Sequence, residues 1–591
     1  MDQSLEYKRH TLAHLLAAAV LKHYPDAKLT LGPAIDTGFY YDIDFGPSTS
    51  SGQAKPGEDD LAKIEAAMRE LLPSWTDFSH EEVSADDAKK RFAGNPFKLE
   101  LINEIAERGE KITLYTVGGF TDLCRGGHAE NPAKEIAPDS FKLDRIAGAY
   151  WRGDETKPML TRIYGLAFES KEELGAYITQ QEEAKKRDHK KLGKELDLFT
   201  FSDTVGKGLP LWTPKGATIR RELERFIVDE EIKRGYLHVY TPDIAKIDLY
   251  KKSGHYPHYK DSMYAPIEID EEQFMLRPMT CPHHFELYLR TPHSYRELPM
   301  RIAELAQLYR YEQSGELSGL QRVRTFCLAD AHIICASEEQ AVEEVGKALD
   351  LIEYIAGVFG LKHGENYWYR LSLGERSDSE KYFKNDAGWE KGENLLRKLL
   401  QERGAHFIEA AGEAAFYGPK IDVQMKNVNG KEDTAFTVQY DFCMPDRFNL
   451  NYTAEDGKEK RAFVVHRSSI GAIERVMAFL IEHFAGAFPT WLSPVQVKVL
   501  PVSEKQAAYA QEVTGALKAA NIRAELDQGD ESLGKKIRNA KLEKVPYFLV
   551  LGDKEVEAQT ATLESRDKGQ LGAFPVSEIV AKLSEEVKNR S

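Results

Sequence analysis

The pattern of apolar and polar positions changes several times along the chain. Residues 1–168 mix helix-like and strand-like patterns, which predicts a self-contained α+β unit. From Lys171 to Leu196 the sequence is charged and has only a narrow apolar stripe, which predicts a connecting helix across 169–196. The first domain boundary is therefore expected near residue 168.

A long middle region follows, over residues 197–488. It carries helical patterns such as "TIRRELERFIVDEEIKRGY" and strand-like runs such as "AFTVQYDF". Two prolines and a glycine in "FAGAFPTWLSPVQ" end its last helix. Beyond that point, residues 489–591 alternate strand with helix, which predicts a small α/β domain. The predicted fold class is α+β multidomain, with a linker helix between the first unit and the rest.

One segment of the middle region, "LAQLYRYEQSGELSGLQRVRTFCLADAHIIC", predicts an antiparallel hairpin around a polar loop. Arg310 and Glu312 share one face of its first strand. If the second strand has no bulge, one of its faces carries Arg322, Arg324, Leu328, Asp330 and His332. Guanidinium groups beside a carboxylate and an imidazole are costly to bury, so this face is expected to bind a charged ligand. Since no glycine-rich phosphate fingerprint lies nearby, arginine forks would hold any phosphate.

Composition and charge narrow the class of protein. The 591 residues are 42% hydrophobic and 29% charged, and no apolar run reaches the ~18 residues of a membrane span. The net charge of −16 counts against a nucleic-acid partner, but residues 185–194 and 535–544 are locally basic. Five cysteines are too few for a disulfide scaffold in so long a chain. We therefore expect a cytoplasmic protein with no membrane partner.

Four cysteine and histidine residues near the N-terminus form a candidate site. In "HTLAH", His10 and His14 have the spacing that places both on one helix face. In "LCRGGH", Cys124 and His128 have the same spacing. Together they match a tetrahedral zinc set. A nucleophile with its base is a second interpretation, and neither of these roles is the third. The spacing leaves all three alternatives open.

The middle region resembles class II aminoacyl-tRNA synthetases. "YRYE" with a downstream arginine is similar to their second motif and "GAIER" to their third. "KRGYLHVYTP" is similar to their first motif, which builds a dimer interface in that family. "MTCPHH", "ADAHIIC" and "VVHRSSIGAIER" narrow the resemblance to the threonyl-tRNA synthetase family of bacterial type. It covers nearly the whole chain, and we expect no small N-terminal β-rich domain of the kind that many relatives carry before the editing unit.

The resemblance implies a two-step reaction by a homodimer. ATP, with Mg²⁺, converts L-threonine to threonyl-adenylate, and the acyl group then passes to the 3′ end of tRNA(Thr). By resemblance, Arg310 meets the α-phosphate, Glu312 the adenine amino group and Arg475 the γ-phosphate. The positions that match the family's ATP, threonine and catalytic residues are Arg310, Glu312, Arg324, Arg475, Asp330, Tyr417, Lys420, Gln439 and His255. His255 matches a histidine implicated in acyl transfer.

The resemblance also implies one zinc ion per subunit in the middle region, held by Cys281, His332 and His466. Three protein ligands leave coordination positions for the amino and hydroxyl groups of threonine, so valine is excluded because it lacks the hydroxyl. Serine keeps both groups, which calls for a second site that hydrolyses seryl-tRNA(Thr). The positions that match this editing site are His10, His14, Lys98, Asp122, Cys124 and His128. In the family it works without a metal.

Some positions depart from the family's pattern. Leu328 stands where many relatives have Gln, Ala329 where many have Asp, and Ala472 where Ser is frequent. Weaker polar contacts to threonine are expected from these changes. Gly127 stands where many relatives have Pro, which predicts a looser loop.

The C-terminal unit resembles an anticodon-binding domain shared by several class II synthetases. Glu555 matches an anticodon contact, but Glu564 replaces a contact arginine, so Lys535, Lys536 and Arg538 are considered for backbone contacts instead. Two rival functions stay open. A prolyl- or seryl-tRNA synthetase shares the catalytic fold, and a silent paralogue would bind RNA without catalysis.

Overall fold

The computed structural model describes residues 3–46, 55–430 and 432–590. The chain divides into two compact units, Met1–Gln181 and Glu182–Ser591. Within the described ranges, every helix is too short or too polar to span a membrane.

The first unit contains two antiparallel sheets and a long N-terminal helix. Its helices are α1 (Gln3–His23), α2 (Leu61–Leu71), α3 (Ala85–Arg91), α4 (Pro96–Glu107) and α5 (Pro132–Glu135). Its strands are β1 (Lys28–Leu29), β2 (Ala34–Ile35), β3 (Gly38–Asp44), β4 (Ser79–Val83), β5 (Ile112–Val117), β6 (Phe120–Leu123), β7 (Phe141–Tyr150) and β8 (Met159–Ala167). The larger sheet has the order β1-β3-β8-β7, with β2 on β3, and the smaller has the order β4-β5-β6. Helix α1 buries Leu12, Leu15 and Leu16 in the main core of this unit.

The segment predicted as one connecting helix is two helices, α6 (Lys171–Arg187) and α7 (His189–Glu195). Between them, the carboxylate of Asp188 accepts hydrogen bonds from the backbone N–H groups of Lys190 and Lys191. This side chain caps the start of α7, so the expectation of an unbroken helix is wrong at Asp188.

The middle part of the second unit is organised around an eight-stranded sheet. The strands of this middle part, inside and outside that sheet, are β9 (Phe199–Thr200), β10 (Leu211–Trp212), β11 (Leu237–His238), β12 (Ile244–Lys246), β13 (Ile267–Ile269), β14 (Glu272–Leu276), β15 (Met300–Tyr309), β16 (Thr325–Cys335), β17 (Tyr367–Leu373), β18 (Phe407–Ala411), β19 (Lys420–Lys426), β20 (Glu432–Asp441), β21 (Asn451–Thr453), β22 (Glu459–Arg461) and β23 (Phe463–Ala472). The helices are α8 (Pro214–Lys233), α9 (Ile247–Ser253), α10 (His255–His258), α11 (Cys281–Leu289), α12 (Glu338–Val358), α13 (Asp386–Glu402), α14 (Met444–Phe448) and α15 (Ile473–His483). The sheet order is β11-β15-β16-β23-β20-β19-β17-β18, antiparallel except at its two edges.

The predicted hairpin is confirmed, because β15 and β16 pair antiparallel from Met300 opposite Ile334 to Tyr309 opposite Thr325. The two strands are shorter than the alternation argument assumed. Arg310, Glu312, Arg322 and Arg324 lie in the connecting loop, where strand alternation does not apply. The pairing of β16 with β23 also shifts register between Leu328 and Asp330.

The C-terminal part is a five-stranded sheet of order β25-β24-β26-β27-β28, with helices beside it. Its elements are β24 (Val497–Pro501), α16 (Ala507–Ala519), β25 (Ala524–Leu526), α17 (Leu533–Leu542), β26 (Tyr547–Leu551), α18 (Asp553–Ala558), β27 (Thr560–Ser565), β28 (Gly569–Pro575) and α19 (Val576–Asn589). The first three strands are parallel, as strand–helix alternation predicts, and the last two form an antiparallel hairpin.

Candidate functional sites

A cavity of about 350 Å³ lies on the eight-stranded sheet. The sheet brings together side chains that are far apart in sequence. The predicted residues that line the cavity are Cys281, Arg310, Glu312, Asp330, His332, Tyr417, Lys420, Gln439, His466 and Arg475. His255 and Arg324 are not part of this lining, but each contacts a residue that is. His255 Nε2 lies 3.7 Å from the Sγ of Cys281, and Arg324 Nε donates to the backbone oxygen of Glu312 at 3.0 Å.

Three buried side chains in this cavity form a candidate metal site. Cys281 is the first residue of α11, and His332 on β16 pairs directly with His466 on β23. One ligand atom from each lies within 4.8 Å of the other two. A thiol and two imidazoles are donors that suit Zn²⁺. The donor set and its geometry therefore fit one zinc ion with open coordination.

The charge states of these groups are set by burial. Burial raises the pKa of the Cys281 thiol well above its ordinary value, and Asp330 and Asp441 act in the same direction. Burial lowers the pKa of His332, so its imidazole is neutral. His466 is oriented by Asp441, whose Oδ2 lies 2.7 Å from Nε2. Neutral imidazoles are the form that binds metal, and a bound cation would convert the thiol to a thiolate.

Arginine side chains also line the cavity. The Nε atom of Arg310 is buried and has no hydrogen-bond partner among the described residues, while one terminal nitrogen faces the sulfur of Met279 at 3.4 Å. Arg475 donates to the backbone oxygens of Gln321 at 3.4 Å and Thr434 at 3.0 Å. A buried guanidinium with an unused donor is suited to an anionic ligand such as phosphate.

The side chains predicted for threonine lie next to the candidate metal ligands. The hydroxyl of Tyr417 donates to Oε1 of Gln439, and the Tyr417 ring stacks on His466 with 4.8 Å between centroids. Lys420 pairs with Asp422 at 2.9 Å. The Oδ2 of Asp330 lies 4.0 Å from Nε2 of His332, and burial raises the pKa of its carboxyl.

The positions that depart from the family's pattern do not all face the cavity. Leu328 and Ala472 pair across β16 and β23, and both line the cavity. Ala329, by contrast, is 1% exposed and belongs to the hydrophobic core on the opposite face of the strand. The expected loss of polar contacts to the substrate therefore concerns Leu328 and Ala472, while Ala329 is a core residue.

The N-terminal cysteine and histidine residues also come together. His10 and His14 lie on α1, Cys124 directly follows β6, and His128 lies in the next loop. The Sγ of Cys124 is 3.5 Å from Nε2 of His10 and 3.3 Å from Nε2 of His128. Nδ1 of His10 donates to the backbone oxygen of Gly127 at 3.0 Å. One ligand atom from each of the four residues lies within 4.8 Å of the others, so they too could hold a metal.

The pKa of the cysteine shifts in opposite directions in the two clusters. Burial alone would raise the pKa of Cys124, but hydrogen bonds to His10, His128 and His14 lower it to about 3. Burial alone would lower the pKa of His14, but Asp122 and the Cys124 thiolate raise it to about 9. At neutral pH the cluster therefore contains a thiolate and an imidazolium.

A buried carboxylate, Asp122, contacts the side chains of this cluster. Asp122 contacts Nζ of Lys98 at 2.5 Å and Nδ1 of His14 at 3.2 Å. Tyr41 donates its hydroxyl to Oδ2 of Asp122 at 2.5 Å. Sequence reasoning missed Tyr41, because an aromatic residue within the apolar strand "GFYYDID" has no pattern that distinguishes it from core.

The loop that carries His128 takes a backbone route that proline cannot follow. Gly126 and Gly127 have φ values of +96° and +83°. Proline is restricted to φ near −65°, so the family's alternative residue would require a different loop conformation at position 127. Gly127 is thus tied to this loop shape, and its backbone oxygen accepts the hydrogen bond from His10.

Family models match two parts of the chain. Residues 264–484 match the tRNA synthetase class II core domain (G, H, P, S and T), and residues 496–586 match an anticodon binding domain. The first range contains the cavity residues from Cys281 to Arg475, and the second contains the five-stranded C-terminal sheet.

Whole-length relatives extend the match to the first unit. Threonine–tRNA ligase of Anoxybacillus flavithermus is 48% identical over 591 residues, which is 100% of this chain and 90% of that protein. The enzyme of the same name from Geobacillus kaustophilus is 49% identical over 593 residues, with 100% and 89% covered. A crystal structure of the RNA binding domain of threonyl-tRNA synthetase from Cryptosporidium parvum has a TM-score of 0.64 and 36% identity, and covers 68% of this chain and 98% of its own. With this identity along its full length, the chain belongs to the threonyl-tRNA synthetase family of class II aminoacyl-tRNA synthetases.

Proposed function

We propose that this protein is a threonine–tRNA ligase that uses ATP and Mg²⁺ to charge tRNA(Thr) in the cytoplasm. The observation that carries this proposal is the single cavity that joins phosphate-suited arginines to the Cys281, His332 and His466 cluster. The anticodon binding domain match supports tRNA as the second substrate. Five unpaired cysteines fit a reducing compartment.

In the first step, a carboxylate oxygen of threonine attacks the α-phosphorus of ATP, and pyrophosphate leaves with the electrons of the broken P–O bond. Positioning and neutralisation of charge supply most of the rate. Arg310 meets the α-phosphate with its unused donor, Arg475 the γ-phosphate, and Glu312 accepts from the adenine amino group. Arg324 holds Glu312 through its backbone oxygen. A bound Mg²⁺ ion would neutralise part of the phosphate charge.

In the second step, a ribose hydroxyl at the 3′ end of tRNA attacks the threonyl carbonyl carbon, and AMP leaves. We assign His255 to this transfer. Burial and neighbouring positive charges lower its pKa to about 3, so it is a neutral imidazole. Its Nδ1 lies 2.7 Å from Oγ of Ser253, which orients the ring.

Selection of threonine is assigned to Cys281, His332 and His466 as ligands of one zinc ion. A zinc ion held by these three side chains would act as a Lewis acid toward the amino and hydroxyl groups of the substrate. Asp330 is placed to accept the hydrogen bond of that hydroxyl, and Tyr417, Lys420 and Gln439 complete the pocket wall. Valine has no hydroxyl to offer, so the pocket discriminates by chemistry as well as by shape.

Serine passes this selection, so we assign hydrolysis of seryl-tRNA(Thr) to His10, His14, Lys98, Asp122, Cys124 and His128, without a metal. Water attacks the ester carbonyl carbon, and the ribose oxygen leaves with a proton. The charge balance supports a metal-free site, because the imidazolium of His14 already compensates the Cys124 thiolate. Zinc analysis of the full chain tests this: one equivalent per subunit is expected, and two would overturn the metal-free assignment.

The homodimer is proposed from an apolar surface. Tyr240 is 94% exposed and lies two residues after the short strand β11, in the segment similar to the family's first motif. Other apolar side chains with high exposure nearby in the chain are Ile232, Leu237, Ile244, Ile267 and Ile269. Several large apolar side chains exposed in one part of the chain favour an interface there. Leu237→Asp should give monomers in sedimentation velocity.

We retain the domain division into editing (1–168), linker (169–196), catalytic (197–488) and anticodon-binding (489–591) parts. Within the last part, Lys536 cannot hold tRNA as considered from the sequence, because it is 4% exposed and donates to the backbone oxygen of Pro501. Glu555 caps α18 through Gly552 N at 2.9 Å, and Glu564 pairs with Lys541 at 3.0 Å.

The test of the main function is threonine-dependent exchange of pyrophosphate into ATP with the full chain and zinc present. Exchange with threonine, weaker exchange with serine and background exchange with valine, proline or glycine are expected. A silent RNA-binding paralogue would show none with any amino acid, and a proline-dependent signal would support the rival synthetase.

A further inference from the structure

The candidate metal ligand His332 is supported from behind by a second histidine. Nδ1 of His332 lies 2.8 Å from Nδ1 of His284, which is 0% exposed. His284 belongs to helix α11, three residues after Cys281, so one helix supplies both a ligand and the support of another ligand. On its far side, Nε2 of His284 lies 3.3 Å from Oε2 of Glu304.

Glu304 is firmly held in its place on β15. It is 2% exposed, and its Oε1 accepts hydrogen bonds from the backbone N–H of Thr241 at 3.1 Å and from Arg277 at 3.0 Å. Its Oε2 accepts from the Thr241 hydroxyl at 2.7 Å. Arg277 is itself buried and also donates to the backbone oxygen of Gln307 at 2.7 Å. The carboxylate therefore stays ionised and acts only as an acceptor.

This anchor dictates which nitrogen of each ring carries a proton. Because Glu304 only accepts, Nε2 of His284 must donate to it, and the lone pair on Nδ1 of the same ring faces His332. His332 must donate to that lone pair from its own Nδ1. Its Nε2 is left with the lone pair, on the side that faces Asp330 in the cavity. A metal needs this lone pair, and hydrogen bonding at the other ring nitrogen is what secures it.

His466, the other proposed imidazole ligand, contacts its carboxylate without an intervening side chain. Nε2 of His466 contacts Asp441 directly at 2.7 Å, which leaves Nδ1 for the metal. His332 has an imidazole interposed between itself and its carboxylate. The two ligands thus present different ring nitrogens, each selected by a carboxylate.

We propose that His284 and Glu304 are positioning residues that fix the ring orientation and tautomer of His332 as a metal ligand. This inference rests on the proposed zinc site. Outer partners of this kind raise metal affinity by about 10–100-fold, so their loss should appear in zinc binding itself as well as in activity.

The experiment measures zinc affinity of the full chain by competition with a chromophoric chelator. His284→Leu removes the acceptor for His332 and should weaken zinc binding by about 10–100-fold. His284→Gln can accept from His332 and donate to Glu304, so it should recover most of the affinity. The matched control is His283→Leu, the same change at the neighbouring residue on α11, which should bind zinc as the unmodified protein does. Substitution with Co²⁺ gives a second readout, since its absorption bands report the ligand field directly.

The outcomes separate this inference from the zinc site itself. If His284→Leu keeps its folded circular dichroism spectrum and binds zinc within about twofold of His283→Leu, the positioning role is refuted. If the unmodified protein binds no zinc, the zinc assignment fails first and takes this inference with it. If His284→Leu does not fold, Glu304→Gln decides. Its amide would donate toward His284 and reverse the chain of hydrogen bonds, so lower zinc affinity supports the proposal and unchanged affinity refutes it.

Discussion

Two clusters of cysteine and histidine residues, one in each unit of the chain, differ in whether their side chains are charged. In the cavity cluster, burial raises the pKa of Cys281 and lowers that of His332, so both of these groups are neutral. In the N-terminal cluster, the pKa of Cys124 falls to about 3 and that of His14 rises to about 9, so both are charged. The distances between ligand atoms do not distinguish the two clusters, since in each cluster these atoms lie within 4.8 Å of one another.

The difference comes from the carboxylates around each cluster. Asp122 contacts His14 directly and stabilises its imidazolium, which in turn stabilises the Cys124 thiolate. Around Cys281, the carboxylates of Asp330 and Asp441 oppose ionisation of the thiol, and burial lowers the pKa of His332. A cation is needed to make Cys281 a thiolate, whereas Cys124 has its counter-charge within the protein.

The largest effect is expected when the cysteine of each cluster is replaced in turn. Cys281→Ala should lose bound zinc and lower threonine-dependent pyrophosphate exchange by more than about 100-fold, because a ligand itself is deleted. Cys124→Ala should leave exchange unchanged and impair hydrolysis of seryl-tRNA(Thr). Zinc analysis, exchange and deacylation assays on both variants check this. An equal loss of pyrophosphate exchange in the two variants would contradict the assignment of different roles to the two clusters.

The next effect tests the source of the charge difference. Asp122→Asn removes the carboxylate that holds His14 protonated, so seryl-tRNA(Thr) hydrolysis should fall by about 100-fold, the scale of one misplaced acid–base group. Pyrophosphate exchange serves as the internal control and should be unaffected. Deacylation at the normal rate in this variant would show that the charged pair is not used in editing.

A third variant sharpens the description of the cavity. Leu328→Gln introduces an amide beside the substrate pocket, and one hydrogen bond to a charged group should lower the KM for threonine by about tenfold. The kcat of exchange should change little, because the phosphate-binding side chains are untouched. Ala329→Gln is a contrasting variant: it enlarges a core residue, so lower thermal stability without a gain in KM is expected. An unchanged KM in Leu328→Gln would indicate that this side chain does not approach the substrate.

The smallest expected effect is an absence of pH dependence. An ordinary cysteine loses its thiolate as pH falls below about 9, whereas Cys124, with a pKa of about 3, should keep it down to about pH 4. Alkylation of Cys124 by iodoacetamide, followed by peptide mass spectrometry, should therefore be nearly flat from about pH 8 to 5. Cys281 in the zinc-free protein should be unreactive throughout this range. In Asp122→Asn the profile of Cys124 should become steeper as its pKa rises.

Part of the fold and of both sites followed from local patterns. The hairpin β15–β16 was predictable because long apolar runs flank a polar loop, and the C-terminal domain because strand and helix alternate. The break at Asp188 was not, since a capping aspartate within a charged segment resembles any other exposed acid. The strand ends before Arg310 and after Arg324 were likewise hidden, because charged residues continue the alternation into the loop.

By itself, the sequence determined the family, the candidate ligands and the residues expected at each site, because motifs preserve residue type and spacing. Only the tertiary structure decided which groups are charged and which face a cavity. It showed Ala329 in the core, Lys536 buried against Pro501, and Tyr41 joined to the proposed editing site. The physical reason is that pKa values and tautomers depend on burial and on partners such as Asp122, Glu304 and Asp441. Those partners come from other strands and helices, at distances along the chain that no local pattern records.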